Sequence, residues 1–335
     1  MTVMLTGGAG YIGSHMAAIL LQKNIDFVIV DNLSNSDKKN ITALENFFHK
    51  SIKFEVEDLR DLKNMRRIFN TYQINSVIHF ASLKSVNESI LKPQLYEDNN
   101  VYGSELLINL LKEYKVKKFI FSSSACVYGK PKNLPINENH PLNPINPYGK
   151  NKVDIESMIK DDLYFKTKCC TKILRYFNPI GSFADGLIGE IPKGQPQNLI
   201  PCILSIITDQ KALFEIYGND YKTKDGTAIR DYIHIMDLID AHYLALLNNE
   251  IGIDIFNIGT GEGYSVLDII NTFKKVNNVD IPYIFKPRRK GDVESCYADN
   301  KKIKKMLNWA PTRNLESMCI DAFRFSKFAH KKILE

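Results

Sequence analysis

Val3-Met4-Leu5-Thr6-Gly7-Gly8-Ala9-Gly10-Tyr11-Ile12-Gly13-Ser14-His15-Met16-Ala17-Ala18-Ile19-Leu20 is the stretch whose reading decides the fold. Val3 to Thr6 has the texture of a short strand, and Ser14 to Lys23 carries Met16, Ala17, Ile19 and Leu20 at helical spacing. Between them Gly8, Gly10 and Gly13, with Gly7 ahead of them, satisfy G-x-G-x-x-G. Such glycines permit a tight turn and let the backbone approach a pyrophosphate held by helix N-terminal amides. Alone the motif is weak. A second strand-like run, Phe27 to Asp31, strengthens it by ending in a carboxylate placed to accept from adenosine ribose hydroxyls. That acid repels a 2′-phosphate, and Asn32, Ser34, Asn35 and Ser36 offer no arginine to receive one, so NAD is expected over NADP. Lys38 and Lys39 argue the other way.

Working outward, Ile52 to Val56, Ser76 to Phe80, Lys118 to Ser122 and Thr171 to Tyr176 also read as strands, with helices between them. Leu106, Leu107, Leu110 and Leu111 mark one such helix. The alternation predicts an α/β chain built on a doubly wound parallel sheet, a Rossmann arrangement. After about Asn178 glycine and proline cluster and strands such as Phe214 to Tyr217 are scattered among longer loops. We therefore expect a nucleotide domain over 1–177 and a smaller, interleaved α/β substrate domain over 178–335. Segments near 231–259 are expected to return to the first sheet.

Composition bounds the function. The 335 residues suggest about two domains at roughly 150 residues each. With 44% apolar and 24% charged residues, the chain is neither disordered nor fibrous. The net charge of +6 is spread out, and its densest runs, Lys112 to Lys118 and Lys301 to Lys305, are broken by apolar residues, so a solvated face is favoured over a nucleic-acid surface. No apolar stretch is long enough for a signal peptide or membrane span, and a cytoplasmic location is expected. Cys126, Cys169, Cys170, Cys202, Cys296 and Cys319 lack metal-ligand or disulfide spacing, so no metal is predicted. His15, His79 and His234 read as structural, and Glu55, Glu57 and Asp58 alternate along a strand rather than forming an acid/base pair.

The chemistry is expected at Ser124, on a strand end, and at Tyr148-Gly149-Lys150-Asn151-Lys152, whose Y-x-x-x-K spacing puts Tyr148 and Lys152 on one helix face. A free phenol, with a pKa near 10, is too weak an acid to serve as a base at neutral pH. A neighbouring ammonium and a positive nicotinamide ring would both favour the phenolate. Tyr/Lys pairs and serine triplets are common by accident. Here a nucleotide loop, a strand-end serine and a Tyr/Lys helix follow in the order that hydride transfer requires.

At this point the chain resembles the extended short-chain dehydrogenase/reductase superfamily and, within it, the UDP-glucose 4-epimerase family. The resemblance runs from residue 2 to about 330, through Gly7 to His15, Asp31 to Ser36, His79-Phe80-Ala81, Phe119 to Ser124, Arg175-Tyr176-Phe177-Asn178-Pro179, Tyr217 to Tyr221 and Asp225-Gly226-Thr227. It implies that Tyr148 takes the sugar 4-hydroxyl proton as the C4 hydride passes to NAD. A 4-ketose then forms, turns over and is reduced on its other face. It places Gly7, Gly10, Tyr11, Ile12 and Gly13 at the pyrophosphate, Asp31, Asn32 and Ser36 at the ribose, and Asp58 with Leu59 at the adenine. Phe80, Ala81, Lys84, Asn99, Tyr148, Lys152 and Tyr176 or Phe177 fall on the nicotinamide side. Asp58 and Asn99 also suit turns or caps. For the UDP-sugar it implies Lys84, Ser124, Tyr148, Asn178, Asn198, Leu199, Tyr217, Arg230, Arg289 and Asp292, with Arg289 preferred to Arg288 because the family motif falls that way. It also implies a homodimer, through helices such as Asn99 to Tyr114 and Asn151 to Asp162.

Cys296 departs from the pattern. Members of the resembled family restricted to unmodified sugars carry a bulky tyrosine there, and those accepting N-acetylated sugars a small residue. Either Cys296 enlarges the pocket for UDP-N-acetylglucosamine and UDP-N-acetylgalactosamine alongside UDP-glucose and UDP-galactose, or it is simply a small buried hydrophobe. A 4,6-dehydratase is disfavoured, because Ala125-Cys126-Val127-Tyr128 stand where that family places an acidic pair. A decarboxylase, a reductase using free cofactor, or a non-catalytic NAD sensor remain as alternatives.

Overall fold

In the computed structural model, which describes residues 2–164, 167–208, 213–289 and 291–334, seven strands form one central sheet. They are β1 (Thr2–Thr6), β2 (Phe27–Val30), β3 (Lys53–Glu55), β4 (Ile74–His79), β5 (Lys118–Ser124), β6 (Cys170–Tyr176) and β11 (Gly252–Ile258), in spatial order β11-β6-β5-β4-β1-β2-β3. The pairings of β1 with β2 and β4, β2 with β3, and β4 with β5 are parallel. Every residue of β2 and β6 is buried, as expected of strands covered on both faces. Strand order reverses at β1, which puts the glycine loop at a topological switch point, where open α/β sheets bind ligands.

The shorter strands are β7 (Asn178–Ile180), β8 (Phe214–Tyr217), β9 (Ile229–Arg230), β10 (Tyr232–His234), β12 (Tyr264–Ser265), β13 (Tyr283–Lys286) and β14 (Ser295–Cys296). They make a parallel pair β10-β7, a parallel pair β13-β8, and a three-stranded sheet β12-β9-β14.

The chain divides into two compact units: Met1–Gly129 with Pro141–Arg175 and Ile239–Phe256, and Lys130–His140 with Tyr176–Leu238 and Asn257–Glu335. The first has a core built from residues such as Met4, Val28, Phe69, Leu107, Phe121 and Ile155, the second from Ile203, Ile216, Phe273, Met318 and Phe323. One stretch groups on the other side of the expected boundary. Lys130–His140 belongs to the second unit, because Ile136 donates to the Tyr297 carbonyl (2.9 Å) and accepts from Asp299 (2.7 Å) and from Asn257 Nδ2 (2.8 Å). The strand expected to return to the first sheet does so as β11 (Gly252–Ile258), and Ile239–Phe256 groups with the first unit.

Candidate active site

In the first unit the helix expected at Ser14 begins at Tyr11 and runs to Gln22. Gly10 is its N-cap and no side chain caps it, which leaves its N-terminal face open to an anion. Gly7 holds φ +67, and a Cβ there would lie 2.6 Å from the Ala81 amide nitrogen. A Cβ at Gly13 would lie 2.5 Å from the Gly7 carbonyl, so these two glycines are required by the protein's own packing. Gly10 differs. A Cβ there would meet only the Gly7 carbonyl, at 3.3 Å, so the cradle above it has room for a group the chain does not supply.

Asp31, 7% exposed, follows β2 and collects three donors: Ala9 N on Oδ2 (3.0 Å), and Leu33 N (2.9 Å) and Ser36 Oγ (2.8 Å) on Oδ1. A carboxylate has about four acceptor positions, so one stays open on Oδ2. Of the lysines that argued for a 2′-phosphate, Lys38 has its Nζ 4.5 Å over the Phe54 ring, while Lys39 is exposed and lies 3.6 Å from Asp37. Asn32 donates to Asp58 (2.8 Å), whose carboxylate also accepts from the Arg60 guanidinium and amide. Arg60 holds the Asp58 carboxyl well below the usual range. Arg60, which the sequence reading passed over, also pairs with Asp98. Leu59 is buried in the core.

Phe80 packs its ring 5.1 Å from that of His242, and Ala81 abuts Gly7. Lys84 is exposed at the end of a loop gripped by Asn100, a buried residue also missed from sequence: its Oδ1 accepts from Leu83 N (2.8 Å) and its Nδ2 donates to Leu83 O (3.0 Å). Asn99 donates to Asn100 Oδ1 (3.0 Å), within a π-helical turn over Glu97–Tyr102.

Ser124 ends β5, and its Oγ accepts from Cys126 N (3.2 Å), turning the chain into Ala125–Tyr128. The helix Pro147–Met158 opens on Asn146, whose Oδ1 accepts from Gly149 N (2.8 Å), with proline at its first position. A Cβ at Gly149 would come 2.7 Å from the Cys126 carbonyl, so only glycine lets this helix settle against the turn after Ser124. Ser124 acts on the Tyr148 phenol in the direction that favours its ionised form. Lys152, 2% exposed, donates to Ser122 O (2.9 Å) with Nζ 5.7 Å from the Tyr148 ring centroid.

Burial of both groups works against ionisation in this site. Burial pushes the Tyr148 phenol above its ordinary value, outweighing the opposing effect of Ser124, and burial also brings Lys152 down to about 7, against the pull of Glu156. Beneath the helix Glu156 accepts from Ser123 Oγ (2.6 Å) and twice from Arg175 (2.9 and 2.5 Å), and Arg175 donates to the Tyr128 hydroxyl (2.9 Å). This buried network anchors β5, β6 and the helix together, and reading the sequence in order gives no signal for it. His79 bridges Thr6 (2.7 Å) and Ser104 (2.9 Å), and burial with Lys152 nearby brings it down to about 3; His234 lies between Met236 N (3.0 Å) and Asp321 (3.1 Å).

In the second unit, Arg230 lies 3.6 Å from Asp292, and the Arg289 guanidinium stacks 3.8 Å over the Tyr217 ring. Arg288, the disfavoured neighbour, stacks 4.0 Å over Tyr221 and donates to Asp220 (2.7 Å). Asn178 donates its amide to Asp231 O (3.0 Å), and Asn198 its side chain to Glu190 (2.8 Å). Leu199 opens the helix Leu199–Thr208, and Phe177 is buried with its amide on Ile258 O (3.1 Å). Cys296, 9% exposed, sits in β14 opposite Arg230. Asp231, missed from sequence, is fully buried and accepts from Thr260 N (2.8 Å), Thr260 Oγ1 (2.7 Å), Gly261 N (3.0 Å) and Ala298 N (3.1 Å). Among the described residues no group of acidic, histidine or cysteine side chains could hold a metal, and no helix is long and apolar enough to cross a membrane.

The seven-stranded sheet, the glycine loop at its switch point and the Ser/Tyr/Lys set define an extended short-chain dehydrogenase/reductase. The profile of the family described as GDP-mannose 4,6 dehydratase matches residues 4–322. The UDP-glucose 4-epimerase of Bacillus subtilis is 43% identical over 327 residues, covering 97% of this chain and 96% of that one. Among solved structures, UDP-glucose 4-epimerase from Bifidobacterium longum in complex with NAD+ and UDP superposes with a TM-score of 0.94 at 42% identity over 98% of each chain. The UDP-Glc/GlcNAc 4-epimerase of Campylobacter jejuni superposes with a TM-score of 0.81 at 36% identity, over 98% of this chain and 99% of that one. The chain belongs to the UDP-glucose 4-epimerase family, whose members are isomerases.

Proposed function

We propose that this enzyme interconverts UDP-hexoses epimeric at C4, acting on UDP-N-acetylglucosamine and UDP-N-acetylgalactosamine as well as UDP-glucose and UDP-galactose, with NAD retained between cycles. The observation that carries the reaction is Lys152 Nζ 5.7 Å from the ring centroid of Tyr148 on the same helix, with Ser124 acting on that phenol from the end of β5. Ser124 holds the sugar 4-hydroxyl, Tyr148 removes the proton from its oxygen and, once the ketose has turned over, returns one to that same oxygen, and Lys152 keeps positive charge near the phenol. The open cradle at Gly10, the uncapped helix and the spare acceptor on Asp31 fit a dinucleotide without a 2′-phosphate. NAD, when bound, accepts and returns the C4 hydride, and its ring adds the positive charge that a buried phenol needs in order to ionise.

In this reading Gly7, Tyr11, Ile12 and Gly13 flank the pyrophosphate, Asn32 and Ser36 the ribose, and Asp58 and Leu59 the adenine. Phe80, Ala81, Lys84, Asn99 and Phe177 wall the nicotinamide. Asn178, Asn198, Leu199, Tyr217, Arg230, Arg289 and Asp292 hold the UDP. Elimination is not favoured, since residues 125–128 bring no acid beside Ser124. We further assign the first unit to the cofactor, the second chiefly to the UDP-sugar, a homodimer to the helices around residues 99–114 and 151–162, and the cytoplasm as location.

Cys296 supports the wider sugar range. A small side chain at a buried strand position leaves volume where a tyrosine would fill it, and the Campylobacter jejuni neighbour is named for both sugar types. The test is proton NMR of UDP-N-acetylglucosamine with the wild-type protein and with Cys296→Tyr. We expect conversion by the first and a loss of at least 10-fold in the second, on the scale of steric exclusion from a pocket. Conversion of UDP-glucose alone would restrict the enzyme to the unmodified pair, and a Cys296→Tyr enzyme fully active on the acetylated sugar would overturn the steric role of Cys296.

A further inference from the structure

Within the first unit Thr6, His79, Ser104 and Asn100 are all buried, and a chain of hydrogen bonds runs through them from the end of β1 to the loop after β4. Thr6 Oγ1 meets His79 Nδ1 (2.7 Å), His79 Nε2 meets Ser104 Oγ (2.9 Å), and Ser104 Oγ donates to the Asn100 carbonyl. The Asn100 side chain then accepts from Leu83 N and donates to Leu83 O. The Phe119 and Phe121 rings stack on the imidazole, with centroids 6.2 and 5.8 Å from it, and fix its plane.

The chain of bonds has a direction. A serine hydroxyl carries one proton. Ser104 directs it to Asn100 O, so it can only accept from the imidazole, and Nε2 is therefore a protonated ring nitrogen. Burial, with Lys152 nearby, keeps the ring neutral, which leaves Nδ1 bare to accept from Thr6. Each link also stands next in sequence to a residue assigned to the nucleotide. Thr6 precedes Gly7, His79 precedes Phe80 and Ala81, Leu83 precedes Lys84, and Asn100 follows Asn99. One oriented imidazole thus ties the strand ahead of the glycine loop to the backbone that carries Lys84.

We propose that His79, as its Nε2–H tautomer, is a positioning residue for the cofactor, acting through Ser104 and Asn100 to fix the 80–84 loop and Asn99 on the nicotinamide side. This rests on the placement of Phe80, Ala81, Lys84 and Asn99 at the nicotinamide given above. A residue that only filled the core would need its shape and ring; this role needs the two bonds and their direction.

The test has two parts, both on purified holoenzyme. Nitrogen NMR of the histidine rings, with His79 assigned by its absence from His79→Gln, should show Nε2 protonated and Nδ1 bare. The rate at which bound NAD is lost on dilution is then compared among four proteins. These are the wild type, His79→Phe, which keeps a ring and removes both bonds, His79→Gln, whose amide can still donate to Ser104, and Thr6→Val, which is matched in shape. We expect NAD to leave roughly 10-fold faster from His79→Phe and roughly 3-fold faster from Thr6→Val, on the scale of two hydrogen bonds and one. His79→Gln should lie between His79→Phe and the wild type. If His79→Phe does not fold, Thr6→Val decides the rate comparison. A protonated Nδ1 would overturn the proposal, as would a wild-type rate in Thr6→Val, or a His79→Gln protein that loses NAD as fast as His79→Phe, which would make the residue core packing alone. A wild-type protein that neither carries NAD nor takes it up would instead overturn the cofactor reading itself.

Discussion

Asp31 and Asp231 each organise a loop beside a strand, one in each unit, and they do so to opposite ends. Asp31 accepts three hydrogen bonds and keeps an acceptor position open at the edge of the glycine loop. Asp231 accepts four, from Thr260, Gly261 and Ala298, and is sealed from solvent, where burial raises its carboxyl to about 6 in spite of those donors. A Cβ at Gly259 would lie 2.4 Å from its Oδ2, so the chain closes completely around it. Residue type and strand context are alike; what separates the two carboxylates is whether the protein has already filled their acceptor positions.

The comparison is broken or sharpened most forcefully at Asp231. Asp231→Ala leaves four donors without an acceptor and is expected to cost about 3–5 kcal/mol in chemical denaturation. A loss comparable to that of a surface substitution would remove the distinction. The pH dependence comes next. A carboxyl raised to about 6 when folded binds more protons than the unfolded chain between its ordinary value and 6, so its stabilisation is present at low pH and lost as pH rises through 6. From pH 4 to 6 the wild type should lose stability relative to Asp231→Asn, at most by about 1.4 kcal/mol per unit. A constant difference would mean the carboxyl titrates normally. Asp31→Ala is the smallest in stability, about 1–2 kcal/mol for three bonds at a partly open loop. Its larger signature is chemical: the purified protein should release little NAD on denaturation. Undiminished nucleotide would place the ribose elsewhere.

The same contrast explains what could be read before the structure. The glycine loop, Asp31, Ser124 and the Tyr148/Lys152 pair were legible because each depends on neighbours within a few residues, a turn or a helical repeat. Glu156 with Arg175, Asn100 with Leu83, and Asp231 with Thr260 and Ala298 were not, because each is meaningful only beside a partner brought in by the sheet or by a distant loop. Lys130–His140 escaped for the same reason, since it is assigned by bonds to residues 257, 297 and 299. In the second unit Tyr217, Arg230, Arg289 and Asp292 came from family resemblance alone. Their spacing carries no repeat, and the stacking of Arg289 on Tyr217 appears only in three dimensions. At Tyr148 the charge of Lys152 could be read from sequence, while the burial that pushes the phenol up and the ammonium down could not.

The central claim is that Tyr148 performs proton transfer in a 4-epimerase that keeps its own NAD. Its most direct test is proton NMR of UDP-glucose with purified protein and no added cofactor, run beside Tyr148→Phe. The account predicts equilibration with UDP-galactose by the wild type and a turnover lower by roughly 10²- to 10⁴-fold in the variant. No conversion by the wild type even after NAD is supplied, or unchanged turnover by Tyr148→Phe, would contradict it.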